Sequence, residues 1–231
     1  MEKQNNKKGL FIMAKKIYLS PSNQNGNKYA AGNTNEMEQC NKIAAAAETA
    51  LKRCGFSVKR APKGQNMPVS INESNAWGAD LHVPIHTNAC NGKITGGTLI
   101  MVYSNSGENA KAAKAIKAAL DPITPGPDYA VQTNSGLAEL AQTKAIAVYC
   151  ECEFHDTKTG AEFIINNTTK IGEAIAKGIC NYYGVTYKTA TPAPAKAKYY
   201  VQIGAYADKK NAEAQVKAAK AKGFDAFIKE L

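Results

Sequence analysis

Apolar residues recur along the chain in two rhythms, short stretches of alternating or continuous apolar character and longer ones with a period near 3.6, and the two alternate from about residue 16 to residue 184. Lys16-Ile-Tyr-Leu-Ser20 reads as a strand running into a loop of Pro, Ser, Asn and Gly over residues 20–35. From Glu36 onward, Met37, Cys40, Ile43, Ala44, Ala47 and Leu51 fall at helical spacing, and Gly55 stands where a helix would stop. Glu36 therefore sits in the first turn. Phe56–Lys59 alternates as a strand, residues 69–78 suit a short helix, and Asp80–His86 is an apolar strand leading to Thr87 and Asn88. Gly97–Tyr103 is a further strand, 107–120 an Ala/Lys-rich helix, 137–142 a short helix, and Ala145–Glu151 an apolar strand. The run closes with a helix over 166–183, where Ile171, Ile175 and Ile179 form one stripe before Gly184.

Strands alternating with helices predict an α/β domain over 13–186, a mostly parallel sheet flanked by helices. In such sheets ligands bind beyond the carboxyl ends of the strands, so the residues at strand ends carry the functional question. A Pro/Ala-rich linker occupies 187–198. After it, 199–231 reads as a small βαβ segment: a strand over Tyr199–Tyr206, a helix over Asn211–Ala221, and a strand over Phe224–Ile228. One unit of that size buries too little apolar surface to be stable alone. A second methionine at Met13 opens the sequence Met-Ala-Lys-Lys-Ile-Tyr-Leu and is the expected start of translation.

Charge and cysteine usage narrow the setting. Lys and Arg number 29 against 19 acidic residues, a formal charge of +10 that draws the protein to polyanions, whether nucleic acid, membrane or bacterial wall polymers. The lysines are scattered among alanines and not interleaved with aromatics, which argues against a nucleic-acid groove. No apolar run approaches the roughly 20 residues of a membrane span. The Gly9–Ile12 stretch is too short for a signal-peptide core, so the expectation is synthesis in the cytoplasm and action on an outside target after release. The six cysteines show no CxxC spacing and read as reduced thiols within helices and strands.

The chain has three histidines, at 82, 86 and 155. His86 and the Glu151-to-His155 turn lie at strand ends, and Glu36 lies at a helix start, so three element ends converge on one place. Glutamate and histidine are zinc ligands, and a further carboxylate can serve as general base. The plainer reading is a hydrogen-bonded structural histidine with a glutamate favoured by the helix dipole. His82 lies four residues before His86, about 13 Å at strand rise, which makes it a core or supporting residue. Trp77 reads as core.

Ala79-Asp-Leu-His-Val-Pro-Ile-His-Thr-Asn-Ala89 resembles the second-histidine motif of the zinc amidases of type 3, whose strand ends in His-x-Asn-Ala. Ala147-Val-Tyr-Cys-Glu-Cys-Glu-Phe-His-Asp156 resembles the late strand of that family, with Glu151 three residues before Phe154. The resemblance runs from about Lys16 to Val185. It implies a phosphorylase/hydrolase-like fold, Zn²⁺ as cofactor, peptidoglycan as substrate, and cleavage of the amide between N-acetylmuramic acid and L-alanine in wall lysis, as an endolysin or autolysin. It further implies Glu36 and His86 as metal ligands, Glu151 and not Glu153 as the catalytic residue, and Asn88 as a substrate contact. The loop after the first strand departs from the family. Where the family has a ligating His in Asp-Pro-Gly-His, this chain has Ser20-Pro21-Ser22-Asn23, followed by Gln24. The third ligand is then His155, or an amide oxygen of Asn23 or Gln24. The alternative is a peptidoglycan-binding protein without a metal site. Tyr200–Tyr206 resembles the opening strand of SPOR domains, which implies glycan binding through Gln202 and Tyr206. Since the segment matches half of that fold, the expectation is either that the chain is truncated or that two copies pair into a homodimer.

Overall fold

The computed structural model describes residues 14–93, 96–127, 129–190 and 202–230. The Met13 start, linker residues 191–198 and the opening residues of the strand expected from 199 lie outside the described residues. The chain divides into two compact units at residue 190.

The first unit is built on one sheet. Strand β1 (Lys16–Pro21) is followed by helix α1 (Glu36–Arg53), β2 (Ser57–Arg60), α2 (Met67–Trp77), β3 (Leu81–Asn88), β4 (Leu99–Val102), α3 (Gly107–Leu120), β5 (Gln132–Thr133), α4 (Ala138–Ala141), β6 (Ile146–Ala147), β7 (Tyr149–Phe154) and α5 (Lys158–Tyr183). The strand order is β2-β1-β3-β7-β4-β5, with β6 also paired to β3. All pairings are parallel except β4 against β7. The fold is thus the mostly parallel α/β sheet that the alternation of periods predicts.

Burial explains the sequence pattern. β3 lies inside the sheet and is buried at every position except Asn88; Leu81, Val83 and Ile85 alternate with buried His82, Pro84 and His86. Successive side chains of a strand point to opposite faces. Ile17, Leu19, Val83, Ile85, Cys150 and Cys152 face the large core shared with α1, α3 and α5. Tyr18 and His82 stack on one another at 5.3 Å. Tyr149 packs in a smaller cluster with Leu140 of α4. All six cysteines are free, and all but Cys90 are buried.

Several elements differ from the sequence reading. Helix α5 begins at Lys158 and not at 166, because Thr157 caps it by accepting from the Gly160 amide; a non-helical residue, Asn167, then joins its two stretches. The isoleucine stripe lies only beyond that kink, so periodicity marks only the second stretch. The strand expected over 145–151 is divided at Val148 into β6 and β7, and β7 runs on to Phe154. Trp77 is half-buried and not core: the Lys16 and Lys59 ammonium groups lie 5.5 and 5.0 Å from its ring centroid.

The second unit contains helix α6 (Lys209–Ala221), capped by the Asp208 carboxylate on the Lys210 amide. Residues 202–206 and 224–228, expected as strands, are outside regular secondary structure among the described residues. Strands need partners to satisfy their backbone groups, and a single small unit supplies few. Gln202 donates to the Gly204 carbonyl, and Tyr206, Ile203 and Phe224 are exposed.

Close packing of α5 on α1 depends on Gly172, where an added Cβ would lie 2.4 Å from the Ile43 carbonyl oxygen. Gly172→Ala is expected to lower unfolding free energy by about 1–3 kcal/mol, the usual cost of overpacking. Denaturant titration of the two proteins checks this; equal midpoints would contradict it.

Candidate active site

The sheet brings a group of buried polar residues to the carboxyl ends of its central strands. Asn35 caps α1 by accepting from the Glu38 amide, which fixes Glu36 as the first helical residue. The loop after β1 folds over that helix start: the Glu36 amide donates to the Asn27 carbonyl and the Met37 amide to the Gln24 carbonyl. Asn27 Nδ2 donates to Glu36 Oε2 at 2.7 Å, and only about 1% of the Glu36 surface is exposed.

His86 comes from the end of β3. Its Nδ1 lies 2.8 Å from Glu36 Oε1. Parallel register pairs His86 with Glu151 of β7. Two residues back on the same face of β7, the Tyr149 ring stacks on His86 at 4.5 Å. Glu139 of α4 completes the ring of acids: its Oε2 is 3.9 Å from His86 Nε2, and its Oε1 meets Ser20 Oγ at 2.5 Å and His82 Nε2 at 3.2 Å. A cavity of about 230 Å³ opens beside them, lined by Ser22, Asn23, Gln24, His86, Glu139 and Tyr149 among others.

Electrostatics separate the roles of these acids. Burial disfavours charge on Glu36, but the His86 and Asn27 contacts overcome it and leave the carboxyl below its ordinary range. Burial likewise opposes ionisation of Glu139, and His82, His86 and Ser20 outweigh it, pulling the value down to about 2. Glu151 goes the other way, pushed up to about 7 by burial, with the Glu36 charge adding and the His86 charge opposing. Its Oε2 is buried and has no hydrogen-bond partner among the described residues. His86, although desolvated, is raised to about 9 because Glu139, Glu36 and Glu151 surround it.

Residues 18–181 match the family described as N-acetylmuramoyl-L-alanine amidase. The chain belongs to that family. Residues 195–230 match the SPOR domain. Among similar proteins are N-acetylmuramoyl-L-alanine amidase CwlM of Bacillus licheniformis, 30% identical over 68% of this chain and 59% of that protein. Another is the sporulation-specific N-acetylmuramoyl-L-alanine amidase of Bacillus subtilis, 26% identical over 92% of this chain and 84% of that protein. The chain spans 59% and 47% of the length of two of these relatives, the second an uncharacterized 38.4 kDa protein of Clostridium perfringens. Among solved structures, the Clostridium difficile 630 amidase superposes with a TM-score of 0.67 at 20% identity, covering 74% of this chain and 97% of that one. The CwlV catalytic domain of Paenibacillus polymyxa gives 0.66 at 15% identity, with 74% and 99% covered. These likenesses carry the fold.

In this amidase-family chain the residues named from the motifs do not all meet. Glu36 and His86 are in contact, and Glu151 lies beside them in register. His155, the first choice as third metal ligand, is not brought to them: its Nδ1 is 2.9 Å from both Thr87 Oγ1 and the Thr87 carbonyl, and its ring stacks on Tyr29 at 4.9 Å. Among the described residues no three His, Cys, Asp or Glu side chains form a ready metal cage. Asn23 and Gln24 line the cavity, though Gln24 Oε1 accepts from Asn27 Nδ2. The Asn88 side chain accepts from the Ala89 amide. Glu153 accepts from the Gly97 and Phe154 amides. Glu139 escaped the sequence reading, although a lone carboxylate between Leu137 and Leu140 in a short apolar helix is a recognisable signal.

The donor set nonetheless suits a divalent cation. A carboxylate oxygen and a bare imidazole nitrogen 2.8 Å apart repel unless a proton or a metal ion mediates between them. Three carboxylates surround one imidazole, and among the described residues the buried Glu151 Oε2 has no partner, a donor-rich group that a divalent cation would balance.

Glu153, fully buried, gives a test of these electrostatics away from the cluster. Burial raises its carboxyl to about 7 from 4.5, while the two amides oppose the shift. A raised folded-state value means the folded chain binds the extra proton, so stability falls as pH climbs from 4.5 through 7. Glu153→Gln removes that loss. Its stability relative to the parent should rise across this window by up to about 3 kcal/mol and level off above it; thermal melts at pH 5 and pH 8 read the difference, and a pH-independent difference would contradict it.

Proposed function

We propose that this chain is a peptidoglycan hydrolase cleaving the amide between N-acetylmuramic acid and L-alanine, acting in bacterial wall lysis as an endolysin or autolysin after release from the cell that makes it. What supports the reading is the contact of Glu36 with His86 near the end of β3 and the register of Glu151 of β7 beside them, in a chain of the amidase family. Glu36 and His86 would hold Zn²⁺, which when bound polarises the scissile carbonyl and makes water a stronger acid.

Glu151 is the general base. A carboxyl raised to about 7 is poised to take and return a proton at neutral pH. It removes a proton from water attacking the lactyl carbonyl carbon; as the carbon–nitrogen bond breaks, it delivers the proton to the departing L-alanine amine. Tyr149 keeps the His86 ring in place by stacking, and the Asn23–Gln24 loop lines one side of the cavity that admits the substrate. The Asn23 amide oxygen, at the position where the family resemblance expects a ligating histidine, or water, completes the donor set. Asn88, at the end of β3, contacts the substrate. Gln202 and Tyr206 of the SPOR-like segment bind glycan, with two copies pairing through that segment.

A second reading, a wall-binding protein without hydrolysis, draws on Asn23 in place of the expected histidine. Purified protein separates the two: one zinc per chain and clearing of a wall suspension support the amidase, whereas no metal and no clearing support the binder. Within the amidase reading, Glu151→Gln is expected to lower the clearing rate by about 10²–10⁴-fold while zinc content stays unchanged and the melting temperature does not fall. Products should carry new L-alanine amino termini. An undiminished rate in this variant would remove Glu151 from its role.

A further inference from the structure

Neither motif nor family resemblance points to Glu139, yet it meets His86 from the other side. Glu36 holds Nδ1 of the ring at 2.8 Å, and Glu139 Oε2 lies 3.9 Å from Nε2. Glu139 is buried, and its other oxygen is fixed twice, by Ser20 Oγ at 2.5 Å and His82 Nε2 at 3.2 Å. Both braces are rigid. Ser20 belongs to β1, and His82 to β3, where it is fully buried and stacked 5° from parallel on Tyr18. Among the described residues His82 Nδ1 has no hydrogen-bond partner, and a neutral ring then carries its proton on Nε2, directed at Glu139.

The arrangement gives His86 a carboxylate at each nitrogen. A histidine that binds metal through one nitrogen is oriented, and made more basic, by a carboxylate holding the N–H of the other. We propose that Glu139, braced by Ser20 and His82, is the positioning residue of His86: it holds the Nε2 proton and so presents Nδ1 to the cation shared with Glu36. This rests on Glu36 and His86 being the metal-holding pair. It explains why a carboxylate is buried in an otherwise apolar helical turn, and it gives His82 a function through Glu139, with no direct contact to substrate or metal.

The test uses the full chain labelled with ¹⁵N-histidine, whose three histidines can be assigned from His82→Asn and His155→Asn variants. The zinc-loaded parent should show a slowly exchanging His86 Nε2 proton. Glu139→Gln keeps the side-chain size and an acceptor for Ser20 and His82. It should lose that protected proton and bind zinc about 10–100-fold more weakly in chelator competition, while still reaching one zinc per chain. Ser20→Ala should shift both readings the same way by less, and it decides the matter if Glu139→Gln does not fold. An E139Q protein with the proton still protected and zinc affinity within about twofold of the parent would overturn the proposal. A parent that takes up no zinc would fail the metal reading alone; the His86 proton, compared between parent and E139Q in metal-free protein, would still decide the role of Glu139.

Discussion

The 2.8 Å approach of Glu36 Oε1 to His86 Nδ1 ties the start of α1 to the end of β3 and fixes the chemistry of the site. Each partner is where it is for reasons of folding. Asn35 caps the helix and sets Glu36 in its first turn; β3 is buried between β1 and β7, so its end is held by ladders on both sides. Burying a carboxylate is unfavourable unless charge or hydrogen bonds compensate. Glu36 stays ionised through His86 and Asn27, and Glu139 through His82, His86 and Ser20, while burial raises Glu151 so that it holds its proton to near neutrality. That split suits neighbouring groups of one chemical type to different tasks: in the proposed reading, two hold His86 and the third exchanges protons.

The fold was largely legible because its two periods are dictated by burial. Leu81, Val83 and Ile85 of β3 mark its core face, and α1 shows a clean stripe since one side meets the core. What was misread has local causes. The first part of α5 lacks the isoleucine stripe, and Asn167 interrupts the helix before the stripe begins. The break at Val148 and the small strand β5 depend on pairing partners distant in sequence, which no local pattern encodes. Trp77 reads as core from the sequence, but two lysines give its face a partner at the half-buried surface.

For the site, Glu36 and His86 could be named because each stands near an element end and within a recognisable motif, and Glu151 because of its motif, although β7 runs three residues beyond it. His155 follows the same late-strand motif, yet it turns to Thr87 and Tyr29; the sequence shows that it is near β7 but not which way its ring faces. Glu139 could not be paired with His82 in advance, because 57 residues separate them and only the packing of α4 near the strand ends brings them together. In the second unit, the expected strands were read from alternation alone. Alternation describes what a strand would bury and does not provide the neighbour that it must pair with.

The central claim is that Glu36 and His86 share a divalent cation. Anomalous diffraction at the zinc absorption edge, from crystals grown with zinc, tests it most directly. The account predicts a strong peak at the contact of these two side chains, within about 2.0–2.2 Å of the glutamate oxygen and the imidazole nitrogen. A zinc-replete crystal with no peak there, and the two side chains still joined by a direct hydrogen bond, would contradict it.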